Sequence, residues 1–229
     1  MTARTTHRSS RSKAAMIKQW MTVVVAALGL AVSVQAVAAP KAPDETLKTA
    51  VAEIQDLLAK NHVKYKADKT SYFKMVDDKI VPHFDVPYIA RSVLARNWKT
   101  ASPEQQARFQ EAFKNMLIRS YADAMLDNYD SIKVEWKPVR MADAATDATV
   151  NSSLLRPGKP PVGIGFSMHL VSDEWKITDI NIENLSLVQN FRGQFVAELK
   201  KSNLDSLITR MEGGQYSTAT PSSKGAAKP

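Results

Sequence analysis

Apolar positions recur every three to four residues in the first half of the chain and every second residue later. Leu47, Val51, Ile54 and Leu58 predict a helix that Asp44 can cap, after a linker at 39–43. A second helix is predicted from Ser71 to Val81, stopping at Pro82 because the residue before a proline leaves the helical region. Residues 82–87, PHFDVP, form a Pro-bracketed turn, and a short helix then carries Tyr88, Ile89, Val93 and Leu94. The plainest helix start is Ser102-Pro103-Glu104-Gln105: Ser caps, Pro suits the first helical position, and Gln at the third can bond back. This helix is expected to reach about Tyr129. Phe109, Phe113, Met116, Leu117, Tyr121, Ala124 and Met125 give it a wide apolar stripe.

Alternation then takes over. Ile132, Val134 and Trp136 alternate with Lys133, Glu135 and Lys137, and Ala148 to Leu155 reads as a second strand. After the turn RPGKPP, Val162, Ile164, Phe166, Met168 and Leu170 share one face, with Gly163, Gly165, Ser167 and His169 on the other. A Ser172-Asp173 turn returns into a fourth strand. Regular pleating there points Trp175 and Ile177 one way and Ile180 and Ile182 the other. An ordinary surface sheet needs one apolar face, so the second needs a partner. Ser186-Leu187-Val188-Gln189 is a second capping box, and its helix carries Leu187, Phe191, Phe195 and Leu199. A break near Ser202-Asn203 precedes a short helix with Leu204, Leu207 and Ile208. Residues 213–229 have no apolar period and are expected to be disordered. The predicted class is α+β: a curved antiparallel sheet of about four strands with helices over one face.

The amino end changes the reading of charge. The chain has 229 residues, 31 basic and 23 acidic, a net charge of +8. Five of the basic residues, Arg4, Arg8, Arg11, Lys13 and Lys18, precede an apolar run from Trp20 to Val34 and then Ala36-Val37-Ala38. That order is a secretory signal peptide, 1–38, with cleavage after Ala38; the run falls short of the ~20 residues of a membrane-spanning helix. An uncleaved anchor is the alternative. The remaining 229 − 38 = 191 residues carry 26 − 23 = +3, too little to indicate nucleic acid. With no cysteine, disulfides, lipid attachment at the cut and thiol chemistry are excluded.

Candidate chemistry is sparse. His62, His83 and His169 have no partner at a metal-ligand spacing, and Asp77-Asp78 point apart on a helix. Asp179, mid-strand among apolar residues, is either a general base with a burial-raised pKa or a cap on neighbouring backbone. No Gly-rich phosphate loop and no G-x-S-x-G occurs. What remains is apolar surface in excess, which makes either a thick ordinary core or a cavity for an apolar ligand. Gly193 within a helix, at ~1 kcal/mol relative to Ala, points to close approach by backbone or ligand.

Residues 79–126 resemble the MlaC family of periplasmic lipid carriers, also called toluene-tolerance substrate-binding proteins. Pro82, Phe84 and Asp85 match its Pro-x-Phe-Asp turn, and Leu94-Ala95-Arg96-Asn97-Trp98 matches its Leu-Gly-x-x-Trp step before the Ser102-Pro103-Glu104-Gln105 helix. Further on, Trp175-Lys176 with Asp179, Glu183-Asn184-Leu185-Ser186-Leu187, and Asn190-Phe191-Arg192 with Phe195 match a second run. Ala95 and Asn184 replace family glycines and Phe191 a family tyrosine; Asn tolerates positive φ, whereas Ala does not. The likeness spans about 44–212.

The resemblance implies a cystatin- or NTF2-like cone at 39–212 with a deep apolar pocket for phospholipid tails, no cofactor and no catalytic residue. It also implies shuttling between an outer-membrane lipoprotein complex and an inner-membrane ABC transporter complex with an MCE-domain subunit. The pocket lining expected from pattern is Val134, Val150, Leu154, Ile164, Phe166, Met168 and Ile180 from the sheet. From the helices it is Phe84, Ile89, Val93, Met116, Leu117, Tyr121, Phe191 and Phe195. A phospholipid with about 30 methylenes costs about 24 kcal/mol to bring into water, so a carrier must bury most of both chains. A dry pocket of ~1,000 Å³ would cost a similar amount, so the empty form is expected to collapse or fill with water. A cone-fold isomerase or dehydratase using Asp179, and an interaction module with a filled core, are the alternatives.

Overall fold

The computed structural model describes residues 40–131, 133–142 and 144–216. The expected signal peptide and cleavage after Ala38, Ile132, Asp143 and the tail from 217 onward lie outside the described residues.

Helix α1 (Pro43–Ala67) starts one residue before Asp44. The cap is Ala42, and Asp44 sits in the first turn, where the Lys48 ammonium 2.7 Å away holds its carboxyl below the usual range. Helix α2 (Lys69–Lys79) begins earlier than Ser71 because Asp68 accepts from the Ser71 N–H. A single 3₁₀ turn (Val81–His83) holds Pro82, and α3 (Val86–Leu94) is capped by Asp85, which accepts from the Tyr88 N–H. After α4 (Arg96–Thr100) comes α5 (Pro103–Asn128), with the expected capping box: Gln105 N–H donates to Ser102 Oγ and Ser102 N–H to Gln105 Oε1.

Strands β1 (Lys133–Trp136), β2 (Asp147–Arg156), β3 (Lys159–Val171), β4 (Glu174–Ile182) and β5 (Leu185–Ser186) form one antiparallel sheet in chain order. The fifth strand is additional to the four expected. Two residues, Glu183 and Asn184, both at positive φ, turn β4 back on itself, and Leu185 pairs with Ile182. Helices α6 (Leu187–Leu199) and α7 (Leu204–Glu212) close the domain. The domain was expected to end at 212. Beyond it, the Tyr216 ring packs edge-on against Phe195, 5.4 Å between centroids.

Regular alternation fails in β4, and this settles its two apolar registers. Ser167 pairs with Asp179, yet the next residue of β3, Met168, pairs with Ile177. Thr178 is the extra residue of a β-bulge, and its hydroxyl donates to the Ser167 carbonyl at 3.1 Å. The bulge puts Trp175, Ile177, Ile180 and Ile182 on the same face as Phe166 and Met168. That face is apolar, and the other carries Ser167, His169, Asp179 and Asn181. No second apolar face is left to cover.

Three apolar clusters hold the elements together. Phe109 and Phe113 of α5 meet Phe191 and Phe195 of α6, with Phe113 edge-on to Phe191 at 5.3 Å. Val93 and Leu94 of α3 and Leu207, Ile208 and Met211 of α7 complete that cluster. Leu58, Tyr65, Tyr72 and Leu126 join α1, α2 and α5; the Tyr72 hydroxyl, its pKa pushed up by burial, donates to the Ala122 carbonyl at 2.6 Å. Leu47 at the start of α1 covers Val150, Met168, Trp175 and Ile177 on the sheet.

Candidate functional site

A hollow of about 400 Å³ lies where the helices leave the sheet. Its sheet wall is Ile180 and Ile182, delivered to that side by the bulge. Val76 of α2 and Ile80 just after it, Val81 of the 3₁₀ turn and Phe84 just after it, and Val86 and Ile89 of α3 form a second wall. From α5 come Phe113, Leu117, Ile118, Tyr121 and Met125, and from α6 Leu187, Val188 and Phe191. The α5 stripe is wide because it serves two purposes: Phe109 and Met116 go into the core, while Leu117, Ile118, Tyr121 and Met125 turn toward the hollow.

The Pro-bracketed turn fixes one wall. Phe84 forms a bridge to Ile177, and the Asp85 N–H donates to the Ile177 carbonyl at 3.0 Å. Asp85 Oδ2 lies 2.8 Å from His169 Nε2, and Lys176 donates to the Pro82 carbonyl. One aspartate therefore caps α3 and ties it to the sheet.

Two charged residues border the hollow. Lys114 is held between Asp77 and Glu111, each at 2.9 Å, and only 15% of its side chain is exposed. Asp179 has both oxygens engaged at the start of α6. Ser186 donates its hydroxyl to Oδ2 at 2.5 Å, and the Val188 N–H donates to Oδ1 at 3.1 Å. That is the capping arrangement, the alternative weighed against a general base. Among the described residues no cluster of metal-ligating side chains occurs.

Of the expected lining, Phe84, Ile89, Leu117, Tyr121, Ile180 and Phe191 border the hollow. Val93, Met116 and Phe195 do not; they are sealed in the helical core. Val150 and Met168 are buried beneath the amino end of α1, with Phe166 packed beside them. Val134 and Leu154 stand half-buried on the same sheet face, toward β1, and Ile164, also half-buried, pairs with Ile182 of the wall without itself bordering the hollow. Val76 of α2 and Ile80 at its end were missed although their i, i+4 spacing was readable.

The model of the MlaC protein family matches residues 48–213. The chain belongs to the MlaC family. Two curated MlaC-type relatives are each 23% identical. The toluene tolerance protein ttg2D of Pseudomonas putida aligns over 168 residues, 73% of this chain and 77% of its own. The intermembrane phospholipid transport system binding protein MlaC of Haemophilus influenzae aligns over 199, 86% and 92%. A solved structure, the phospholipid-binding protein from Ralstonia solanacearum in complex with a phospholipid, is 32% identical. It superposes with a TM-score of 0.68 over 74% of this chain and 94% of its own. Ala95, expected to stand in for a glycine, sits at φ +51° and ψ −116°, a conformation glycine adopts freely, and Asn184 sits at φ +65°.

Proposed function

We propose that this chain is a periplasmic phospholipid carrier. It takes acyl chains into the hollow between α2, α3, α5, α6 and the β4 end of the sheet, and shuttles lipid between the outer and inner membranes. The observation that carries this reading is a cavity that is almost wholly apolar in a protein with three well-filled cores elsewhere. Kept dry, about 400 Å³ would cost about 10 kcal/mol, comparable to the entire stability of a domain. Such a volume does not stay dry: it takes in water or an apolar guest, and its apolar lining favours the guest.

The hollow is less than half of the ~1,000 Å³ discussed for two chains. We read this as a partly closed form that widens on loading, by movement of α2 and α3 against α5.

The reading includes a leader at 1–38, a lipid-binding domain at 39–212 extended to Tyr216, and docking to an outer-membrane lipoprotein complex and an inner-membrane ABC transporter complex with an MCE-domain subunit. The test is extraction: delipidated protein is mixed with vesicles containing labelled phosphatidylethanolamine and then separated from them. Label travelling with soluble protein at near one lipid per chain supports the carrier. Label remaining with the vesicles at every protein concentration overturns it.

A further inference from the structure

Helix α6 has two working sides. Its inner side, Leu187, Val188 and Phe191, borders the hollow. Its outer side, Gln189, Arg192, Gly193, Val196 and Lys200, lines a surface groove whose opposite bank is the α3–α4 turn with Ala95 and Arg96. Two adjoining recesses of about 490 and 580 Å³ share Arg96 and Arg192 and make up this groove, and Lys99 borders the first.

The groove's charge is not neutralised from within. Elsewhere some cations are neutralised by carboxylates, as Lys114 is by Asp77, Arg108 by Glu212 and Arg210 by Glu198. Among the described residues, Arg96, Lys99, Arg192 and Lys200 make no ion pair. Asp179, the carboxylate bordering the groove, has both oxygens committed to Ser186 and Val188. Arg91 next to them lies over the Tyr88 ring at 5.4 Å.

Gly193 is the second observation. It is exposed, inside α6, and costs ~1 kcal/mol relative to Ala. Nothing inside the protein requires it: a Cβ built there meets no atom within 4 Å, and its φ is ordinary. A bare backbone at the groove's floor therefore serves something outside the chain.

We propose that this groove is the docking site for an acidic segment of a partner protein, which lies against Gly193 with its carboxylates on Arg96, Lys99, Arg192 and Lys200. This deepens the carrier reading by assigning a surface where a partner takes hold. A flat anionic bilayer is the poorer fit, because the cations bank a concave groove and Val196 is the exposed apolar residue among its lining. A partner seated here grips the same helix that walls the hollow.

The probe is an oligoglutamate peptide titrated into isotope-labelled, lipid-loaded full-length protein at low salt, followed by amide chemical shifts. Phosphatidylglycerol-containing vesicles are titrated in parallel. We expect saturable shifts confined to Arg96, Lys99, Arg192, Gly193 and Lys200, weakening with salt and at least about tenfold weaker in an Arg192→Glu, Lys200→Glu double variant. Gly193→Leu, which fits without internal clash and leaves the charges in place, is expected to weaken binding equally. Shifts spread over basic residues generally, an unaffected Gly193→Leu variant, or vesicle binding through the groove residues overturns the proposal. Lipid content, read by mass spectrometry, is expected to be unchanged in both variants. Peptide binding by a chain that never carries phospholipid would leave the docking site standing and remove the carrier.

Discussion

Ile177 and Ile180, three residues apart in one strand, point to the same face of the sheet. Ile177 pairs with Met168 and Ile180 with Phe166, and the odd spacing is absorbed by Thr178, which sits opposite no residue of β3. Ile177 is buried under α1, while Ile180 borders the hollow. The bulge thus lets one strand serve the core at one end and the site at the other. Deleting Thr178 would swing Ile180 and Ile182 onto the polar side; no soluble, lipid-bearing protein is expected. Thr178→Val keeps the residue count but loses the bond to the Ser167 carbonyl. A loss of about 1 kcal/mol in urea unfolding is expected, with lipid retained. A folded, loaded deletion variant would contradict the role given to the bulge.

Ala95 holds a backbone conformation suited to glycine. Such strain is worth ~1–3 kcal/mol, against ~0.5–1 kcal/mol of extra chain entropy lost by glycine. Ala95→Gly is therefore expected to raise the urea midpoint, with a net gain of about 1 kcal/mol. An unchanged or lowered midpoint would show that the turn is not strained.

Leu117 and Phe166 were interchangeable candidates for the lining, and the structure separates them. Leu117 borders the hollow, so Leu117→Asp is expected to leave soluble, helical protein whose co-purifying lipid falls at least about tenfold, since an unpaired carboxylate there opposes the acyl chains. Phe166 lies beneath α1 instead, 6.2 Å from Trp136 between ring centroids. Phe166→Asp is expected to reduce folded yield itself, read by circular dichroism.

His83 gives the pH dependence. Burial, with Lys176 adding to it, pushes its imidazole below the ordinary 6.5. The unfolded chain then takes up a proton before the folded one does. Stability is complete above the ordinary value and falls as pH drops through 6.5 toward the folded value. Urea midpoints measured on acidification are expected to decline over that window, and His83→Gln is expected to flatten this part of the curve. An unchanged slope would assign the effect to other groups.

Much of this was legible in the sequence because it rests on local rules. The Ser102–Gln105 capping box, the Pro82–Pro87 turn, the β2–β4 meander and the helix after Ser186 follow from caps, breakers and periodicity. The bulge was not legible, because counting alternate residues presumes an unbroken pleat; its only trace was a strand apolar in two registers. β5 escaped because two residues make no period. The division of the α5 stripe between core and hollow depends on which helices pack where, a long-range matter that spacing along one helix does not contain. Val93, Met116 and Phe195 were misplaced for that reason.

The central claim, that the hollow exists to hold lipid tails, is tested most directly by organic extraction of protein purified without detergent, followed by mass spectrometry of the extract. The account predicts a two-tailed phospholipid at near one per chain, lost in Leu117→Asp. An extract with no lipid above that variant's level, from protein that is folded, would contradict it.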